Sequence, residues 1–436
     1  MLRTTPPRAT GAPHAPVPQA THGGRRRAPG PMNDHRWPPH RVETRPWRQT
    51  LRSGPREDRV LDRVDASVPP HIAPLPVPVD GPLAAAMEAA VREIVALDHA
   101  HGPVLAPLAL LLLRTESIAS SKIEQVEAST DDYARATHGV RSNPSATSMV
   151  NATRALTAMV DAVDRTGAVE QRFLTEAHAM LMADDPSEAE QAGRLRTVQN
   201  WIGGSDHAPR GALYVPPPPD LVPQLVDDLL AFSNRADAPA IAQAAIAHAQ
   251  FESIHPFTDG NGRIGRVLIN AILRQRRVTT SIVVPVASAL VARRDRYFDH
   301  LDAYRVGEVE PIIASLTVAA EIAALESQRS AGNLAAIPER WRDQVGRLRT
   351  GSATARLLDV LATNPVLSST EAHDLIGGPM SGAYEAVARL HDAGVLRPLT
   401  DRTRNQVWGA AAILDELDEL NIRIGQRGAR QTPIEL

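Results

Sequence analysis

The sequence predicts a mainly α protein with one short β-hairpin in its body and a C-terminal winged-helix unit. Three observations carry this expectation. From Pro82 onward apolar residues recur at three- and four-residue steps, the period of a single helical stripe. Residues 200–215 break that period with paired glycines, a Tyr-Val pair and a run of prolines, which reads as two short strands around a loop. Beyond residue 345, three short helical patterns precede two apolar runs about a turn, the order of a winged helix.

Taken in order, residues 1–60 hold twelve arginines, eleven prolines and only four acids, Asp34, Glu43, Glu57 and Asp58. Such a segment buries too little apolar surface to offset its ordering entropy, so it reads as a disordered basic arm. Residues 61–140 form an N-terminal helical region. Its first stripe runs through Leu83, Met87, Ala90, Val91, Ile94 and Leu97, and a second helix at about 105–126 runs through Leu108, Leu112, Ile118, Ile123 and Val126. Residues 141–330 form the core, with helices at about 147–165, 171–182, 220–234, 239–254, 263–276, 289–305 and 309–330. A linker is expected at 331–345. The winged helix at 346–420 has helices at about 352–363, 369–376 and 380–393, then a hairpin about residues 400–403. Residues 421–436 read as a C-terminal tail.

Composition narrows the function classes. The chain of 436 residues is 43% hydrophobic, enough for real cores, and only 3% aromatic. It has no cysteine, which excludes disulfides, thiolate zinc sites and a cysteine nucleophile. The longest apolar run, 104–113, is far short of the roughly 20 residues of a spanning helix, and the start has no signal-peptide core. A cytoplasmic protein without a membrane partner is the expectation. Lys122 stands alone against 46 arginines, a bias that a GC-rich genome explains, so total arginine is no argument for nucleic acid. Overall there are 47 basic and 50 acidic residues. With twelve and four in the arm, 35 and 46 remain, so a basic arm of +8 sits on a body of −11. The arm suits anionic surfaces or nucleic acid, or it is upstream sequence, since Met32 offers another start.

The densest chemistry lies in residues 255–266, His-Pro-Phe-Thr-Asp-Gly-Asn-Gly-Arg-Ile-Gly-Arg. One helix delivers His255 into a glycine-rich loop from which another begins, and amide N–H groups at such a helix start cradle anions. Arg263 and Arg266 are three apart, share one helix face and can grip phosphate oxygens together. Asp259 is placed to hold a magnesium ion on those phosphates. His255 has the pKa class suited to proton abstraction near neutrality. Each element alone is commonly a capped turn with surface charges; their conjunction within twelve residues is not. His248 and His255 lack a third ligand nearby, so a zinc site is set aside.

The segment resembles the signature of the Fic family, His-x-Phe-x-Asp/Glu-Gly-Asn-Gly-Arg-x-x-Arg, with every specified position filled. Residues 199–204 with Tyr214, Val215, Pro216 and Pro217 resemble the family's flap, and Phe251 to Ile254 the run before its histidine. The resemblance covers about residues 70–330, plus the winged helix of some bacterial members. It implies a Fic-type helical core with a β-hairpin flap. It also implies transfer of AMP from ATP, with Mg²⁺, to a Tyr, Thr or Ser hydroxyl of a target protein. Under it His255 is the general base and Asp259 the metal ligand. Gly260, Asn261, Gly262, Arg263 and Arg266 hold the phosphates, and a flap including Gly203, Gly204, Tyr214 and Val215 docks the target by strand addition.

Ser120 and Glu124 are i and i+4 on one helix face. Ser120-Ser121-Lys122-Ile123-Glu124-Gln125 resembles the family's inhibitory motif Ser/Thr-x-x-x-Glu-Gly/Asn, whose glutamate pairs with the second signature arginine, here Arg266. Gln125 departs from Gly or Asn, and because Gln favours helix more than either, a continuous helix through the motif is expected. Three readings stay open: AMP transfer restrained by Glu124, removal of AMP by the same site, and a DNA-binding regulator whose Fic domain senses nucleotide. The winged helix carries one arginine, Arg389, against Glu385 in its recognition segment, which favours target recognition or a homodimer contact over DNA.

Overall fold

A computed structural model describes residues 37–49, 54–99, 104–140, 143–401 and 406–430. The chain opens with strand β1 (Arg41–Pro46), the single turn α1 (Arg56–Arg59) and strand β2 (Arg63–Val68). β1 and β2 pair antiparallel, from Arg41 opposite Val68 to Pro46 opposite Arg63. Val64, Ala66 and Val68 alternate inward on β2, while β1 is a charged edge on which Glu43 bridges Arg41 and Arg45 at 2.5 Å each. Trp37 is buried, and the His40 N–H donates to the Arg305 carbonyl at 2.9 Å. The disordered arm expected over 1–60 is therefore corrected for its last part: 37–49 and 54–60 are folded, and 1–36 lie outside the described residues. Composition averaged over sixty residues concealed a strand whose partner lies some twenty residues further on.

The body follows as α2 (Gly81–His99), α3 (Leu105–Ile123), α4 (Thr130–Thr137), α5 (Pro144–Thr166), α6 (Gln171–Leu181), α7 (Val222–Ser233), α8 (Ala240–Ile254), α9 (Asn261–Gln275), α10 (Val286–Val291), α11 (Arg294–Arg305) and α12 (Glu310–Val345). α8 is buried on every side from Ile241 to Ile254, as a helix this rich in alanine can be. It packs on α9 across the loop 255–260, with α7 and α12 against α8 and α3 and α5 against α9. Two expected elements change. The helix expected at 289–305 is split into α10 and α11, and α4, capped by Ser129, is additional.

The linker expected at 331–345 is instead the last part of α12, one helix of 36 residues that runs through Pro338. Ala331, Leu334, Ile337 and Trp341 continue its buried stripe, and that packing outweighs the hydrogen bond which proline removes. The C-terminal unit comprises α13 (Ala353–Val360), β3 (Val366–Ser368), α14 (Ser369–Ile376), α15 (Met380–Asp392), β4 (Leu396–Pro398) and β5 (Val407–Ala410), with a sheet in the order β3-β5-β4. β3 joins the expected hairpin, and Ser368 with Glu371 forms a capping box that starts α14.

The tail expected at 421–436 is also corrected. A last helix, α16 (Ala411–Arg430), buries Ile413, Leu414, Leu417, Leu420 and Ile424 and packs on α12 and α10; residues 431–436 lie outside the described residues. Arg397 pairs with Asp131 of α4 at 2.9 Å and with Asp415 of α16 at 2.7 Å, fixing the C-terminal unit to the body. The protein is mainly α, and among the described residues no helix is long and apolar enough to cross a membrane.

Candidate active site

His255 ends α8 in the left-handed conformation (φ 51°, ψ 60°), turning the chain into the loop. Two amides hold its ring: Asn200 Nδ2 lies 3.0 Å and Asn261 Nδ2 3.2 Å from His255 Nδ1. Asn261 is fixed in turn by Phe257, accepting from its N–H and donating to its carbonyl, both at 2.8 Å. Burial, then the charges of Arg196 and Arg305, push the His255 pKa down to about 3, so the imidazole is neutral near pH 7 and a weaker base than a free histidine.

Arg196, fully buried, ties this loop to the flap. It donates to the carbonyls of His255 (2.8 Å), Ile254 (3.3 Å), Val198 (3.0 Å) and Pro217 (2.6 Å). His178 fixes the other end of the loop. Its Nδ1 accepts from the Gly193 N–H at 2.8 Å, its Nε2 donates to the Asp259 carbonyl at 3.1 Å, and its ring stacks on Phe257 at 3.9 Å. Sequence reasoning missed Arg196 and His178, and it did not see Asn200 as a partner of His255. The signal for Asn200 was its place in the quoted flap segment; the other two carried none.

The loop into α9 is built as its glycines require. Gly260 (φ 71°) takes the left-handed conformation that caps α9, whose first turn begins at Asn261 and Gly262. Arg263 is buried, donates from Nη1 to Ser148 Oγ at 2.7 Å, and leaves its Nε buried without a partner among the described residues. Burial lowers its pKa, opposed first by Asp259 and then by Glu124. Asp259 itself is exposed at the loop's rim. Among the described residues no group of three or more His, Cys, Asp or Glu is arranged to hold a metal ion. A lone carboxylate still fits Mg²⁺, which commonly takes one or two protein carboxylates and completes its shell with phosphates and water.

Arg266 is 1% exposed. Its Nε donates to Ser120 Oγ at 2.8 Å, and its Nη2 to the Ser120 carbonyl at 2.9 Å and to Glu124 Oε1 at 2.8 Å. Burial acts to lower its pKa and is outweighed by Glu124, Tyr297 and Glu252, so the guanidinium is held firmly charged. A Cβ built on Gly262 would collide with the Glu124 carboxylate, so that carboxylate lies directly against the start of α9. The continuous helix expected through this motif is corrected. α3 ends at Ile123, Glu124 is its cap, and Gln125 sits at φ 61°. The motif's usual Gly or Asn is explained by this left-handed position, which Gln here adopts at a cost.

The flap is reduced to one bridge, Ile202 opposite Tyr214, with turns at Gly203 and Gly204. Tyr214 faces inward: its hydroxyl donates to the Ser253 carbonyl at 2.6 Å, and Arg305 lies over its ring at 3.5 Å. The Val215 carbonyl accepts from the Ser67 N–H at 2.8 Å. Leu213, 77% exposed, and Ile202 supply the outward apolar surface. In α15 the exposed side chains include Met380, Tyr384 and Glu385, and Arg389 is engaged with the carbonyls of Val345 (3.4 Å) and Arg347 (3.1 Å).

Residues 168–273 match the Fic/DOC family. The chain contains a Fic domain. The chain is 46% identical over 70 residues to a probable protein adenylyltransferase, aq_aa38, of Aquifex aeolicus, covering 16% of this chain and 22% of that one. It is 31% identical over 144 residues to protein adenylyltransferase fic-1 of Caenorhabditis elegans (32% and 25% covered). With protein adenylyltransferase Fic of Nematostella vectensis it shares 33% over 147 residues (33% and 29% covered). The chain thus spans about a quarter of the length of these curated relatives. A solved Fic family protein from Desulfovibrio desulfuricans G20 aligns at a TM-score of 0.49 and 21% identity, over 77% of this chain and 98% of that one. The Fic domain so matched includes the whole of residues 255–266, the flap and Arg196.

Proposed function

We propose that this protein is an ATP-dependent protein adenylyltransferase restrained by Glu124. The observation that carries the reading is that, inside the Fic domain, the loop after α8 sets His255 against Asn261 at the start of α9, the helix that also bears Arg263 and Arg266. Neutral His255 takes the proton from a target Tyr, Thr or Ser hydroxyl, whose oxygen attacks the α-phosphorus of ATP and expels pyrophosphate. The α9 amides and Arg263, with its unpartnered Nε, bind and orient the phosphates, and Arg266 joins them once Glu124 leaves. Mg²⁺ held at Asp259 supplies charge neutralisation on the phosphates. Ile202, Leu213 and the flap backbone align the target segment. The related proteins named as protein adenylyltransferases support the same chemistry.

The restraint follows from two positions of one carboxylate. Glu124 Oε1 accepts a hydrogen bond from Arg266 Nη2 and covers Gly262, so an anion already fills part of the cradle. A γ-phosphate arriving there meets like charge and finds the arginine engaged. α-Labelled ATP tests the reading: label on protein is expected to rise in Glu124→Gly and vanish in His255→Ala. Equal labelling of wild type and both variants overturns it. A Glu124→Gly protein that instead loses an AMP-removing activity points to the reverse reaction. The intramolecular engagement of Arg389 gives DNA binding by the C-terminal unit no added support.

A further inference from the structure

A cavity of about 150 Å³ lies away from the His255 loop, between α10, α11, α12 and the end of α16. Leu290, Val318 and Ile322 make its walls apolar, and Tyr297 also lines it. Arg293 and Arg296 give its polar rim positive charge, His300, whose pKa burial lowers, lines it as a neutral ring, and no acid is among the lining residues. Asp295 and Asp299 of the same helix are exposed and outside the lining, and Arg293 donates from Nη2 to the Ala429 carbonyl at 2.9 Å. His300 Nδ1 is buried without a partner among the described residues. An apolar cavity of roughly 150 Å³ accommodates a single aromatic ring, and a basic rim with an unpartnered donor or acceptor adds selection for an anionic head.

The walls of this cavity also hold the restraint in place. Arg294, at the start of α11 between Arg293 and the cavity-lining Arg296, donates from Nε to the Ile123 carbonyl at 2.7 Å, the last residue of α3 before Glu124. In α10, Ala289 and Leu290 line the cavity, while the Ala287 N–H donates to Glu116 of α3 at 2.9 Å. Tyr297 hydrogen-bonds His248 at 2.8 Å on the side of α11 that faces Arg266. We infer that the cavity is a binding site for a small amphipathic anion, an aromatic or short-chain aliphatic carboxylate, whose occupancy is transmitted through α11 and Arg294 to the Glu124 segment. Only the second half of this inference rests on Glu124 acting as a restraint.

Calorimetric titration of the full chain with benzoate and hexanoate, and with benzyl alcohol and hexylamine as neutral and cationic probes, tests the site. The carboxylates are expected to bind saturably at one per chain. The exposed-rim variant Arg296→Glu weakens them at least about tenfold, as loss of a charge-assisted contact predicts, and Ser315→Phe, which fills the cavity, removes binding. Absence of saturable carboxylate binding overturns the site, as does benzyl alcohol binding as tightly as benzoate. If Ser315→Phe does not fold, Arg296→Glu alone decides. Hydrogen exchange of the Glu124 to Val126 amides tests transmission: benzoate is expected to change it in wild type and not in Arg294→Ala. Unchanged exchange in benzoate-saturated wild type overturns transmission. Neither readout requires AMP transfer, so their failure is distinct from failure of the proposed activity.

Discussion

Glu124 Oε1 and Arg266 Nη2 lie 2.8 Å apart, pairing a carboxylate that is 35% exposed with a guanidinium that is 1% exposed. The asymmetry fixes what happens when the pair opens. Glu124 can move into water, whereas Arg266 stays buried and needs another anion.

Glu124→Gly should therefore lower stability while raising activity. Leaving Arg266 without its carboxylate costs about 1–3 kcal/mol, less than a fully buried pair because Glu124 is partly solvated. Thermal melts should show a lower Tm for the variant without nucleotide, and a larger recovery on adding ATP than wild type shows. A variant as stable as wild type, and equally responsive to ATP, contradicts the role given to Arg266.

Gln125→Gly should tighten the restraint. A glutamine at φ 61° carries roughly 1 kcal/mol of strain that glycine lacks. The expected outcome is a modest rise in Tm and lower basal AMP incorporation. Gln125→Val, β-branched at the same φ, should do the reverse in both measurements.

Stability should peak near pH 6.5. Burial holds His40, His178, His248 and His255 at about 3, 4, 3 and 3, against 6.5 when unfolded. Below pH 6.5 the unfolded chain binds protons that the folded chain refuses, so each histidine removes up to about 1.4 kcal/mol per pH unit of acidification. Burial acts oppositely on Glu116 and Glu252, raising them to about 8 and 7 from 4.5. The folded chain keeps those protons and loses their contribution as pH rises from 4.5 through 7 and 8. Four groups against two give a net gain up to 6.5, and the two glutamates alone give a loss above it. Melts at pH 5.0, 6.5 and 8.0 check this, and a highest Tm at either extreme contradicts it.

Ending the chain at Val345 should destabilise the Fic domain. α16 covers α12, and Ser330 and Asn333 of α12 donate to Glu416 at 2.6 and 2.9 Å. Removing it exposes apolar surface worth roughly 5 kcal/mol or more, from several Leu and Ile side chains at about 1.5–3 kcal/mol each. A fragment that melts at the temperature of the full chain shows the C-terminal unit to be independent.

The helices of the core were legible because their stripes are local: α2, α5, α7, α8 and α9 fall where the apolar period puts them. The signature was legible because its residues are contiguous. What escaped was nonlocal. β1 needs β2, α12 passes Pro338 because α2 and α16 pack along it, and Arg196, His178 and Asn200 reach the His255 loop only through tertiary folding.

By itself the sequence determined the chemistry on offer in residues 255–266 and the four-residue spacing of Ser120 and Glu124, since both depend on order along the chain. Only the tertiary structure decided that Glu124 meets Arg266 and covers Gly262, that α3 stops one residue before it, and that Tyr214 faces inward. Those relations join segments 39 to 142 residues apart or set a backbone angle against intrinsic preference, and packing alone supplies the free energy for either.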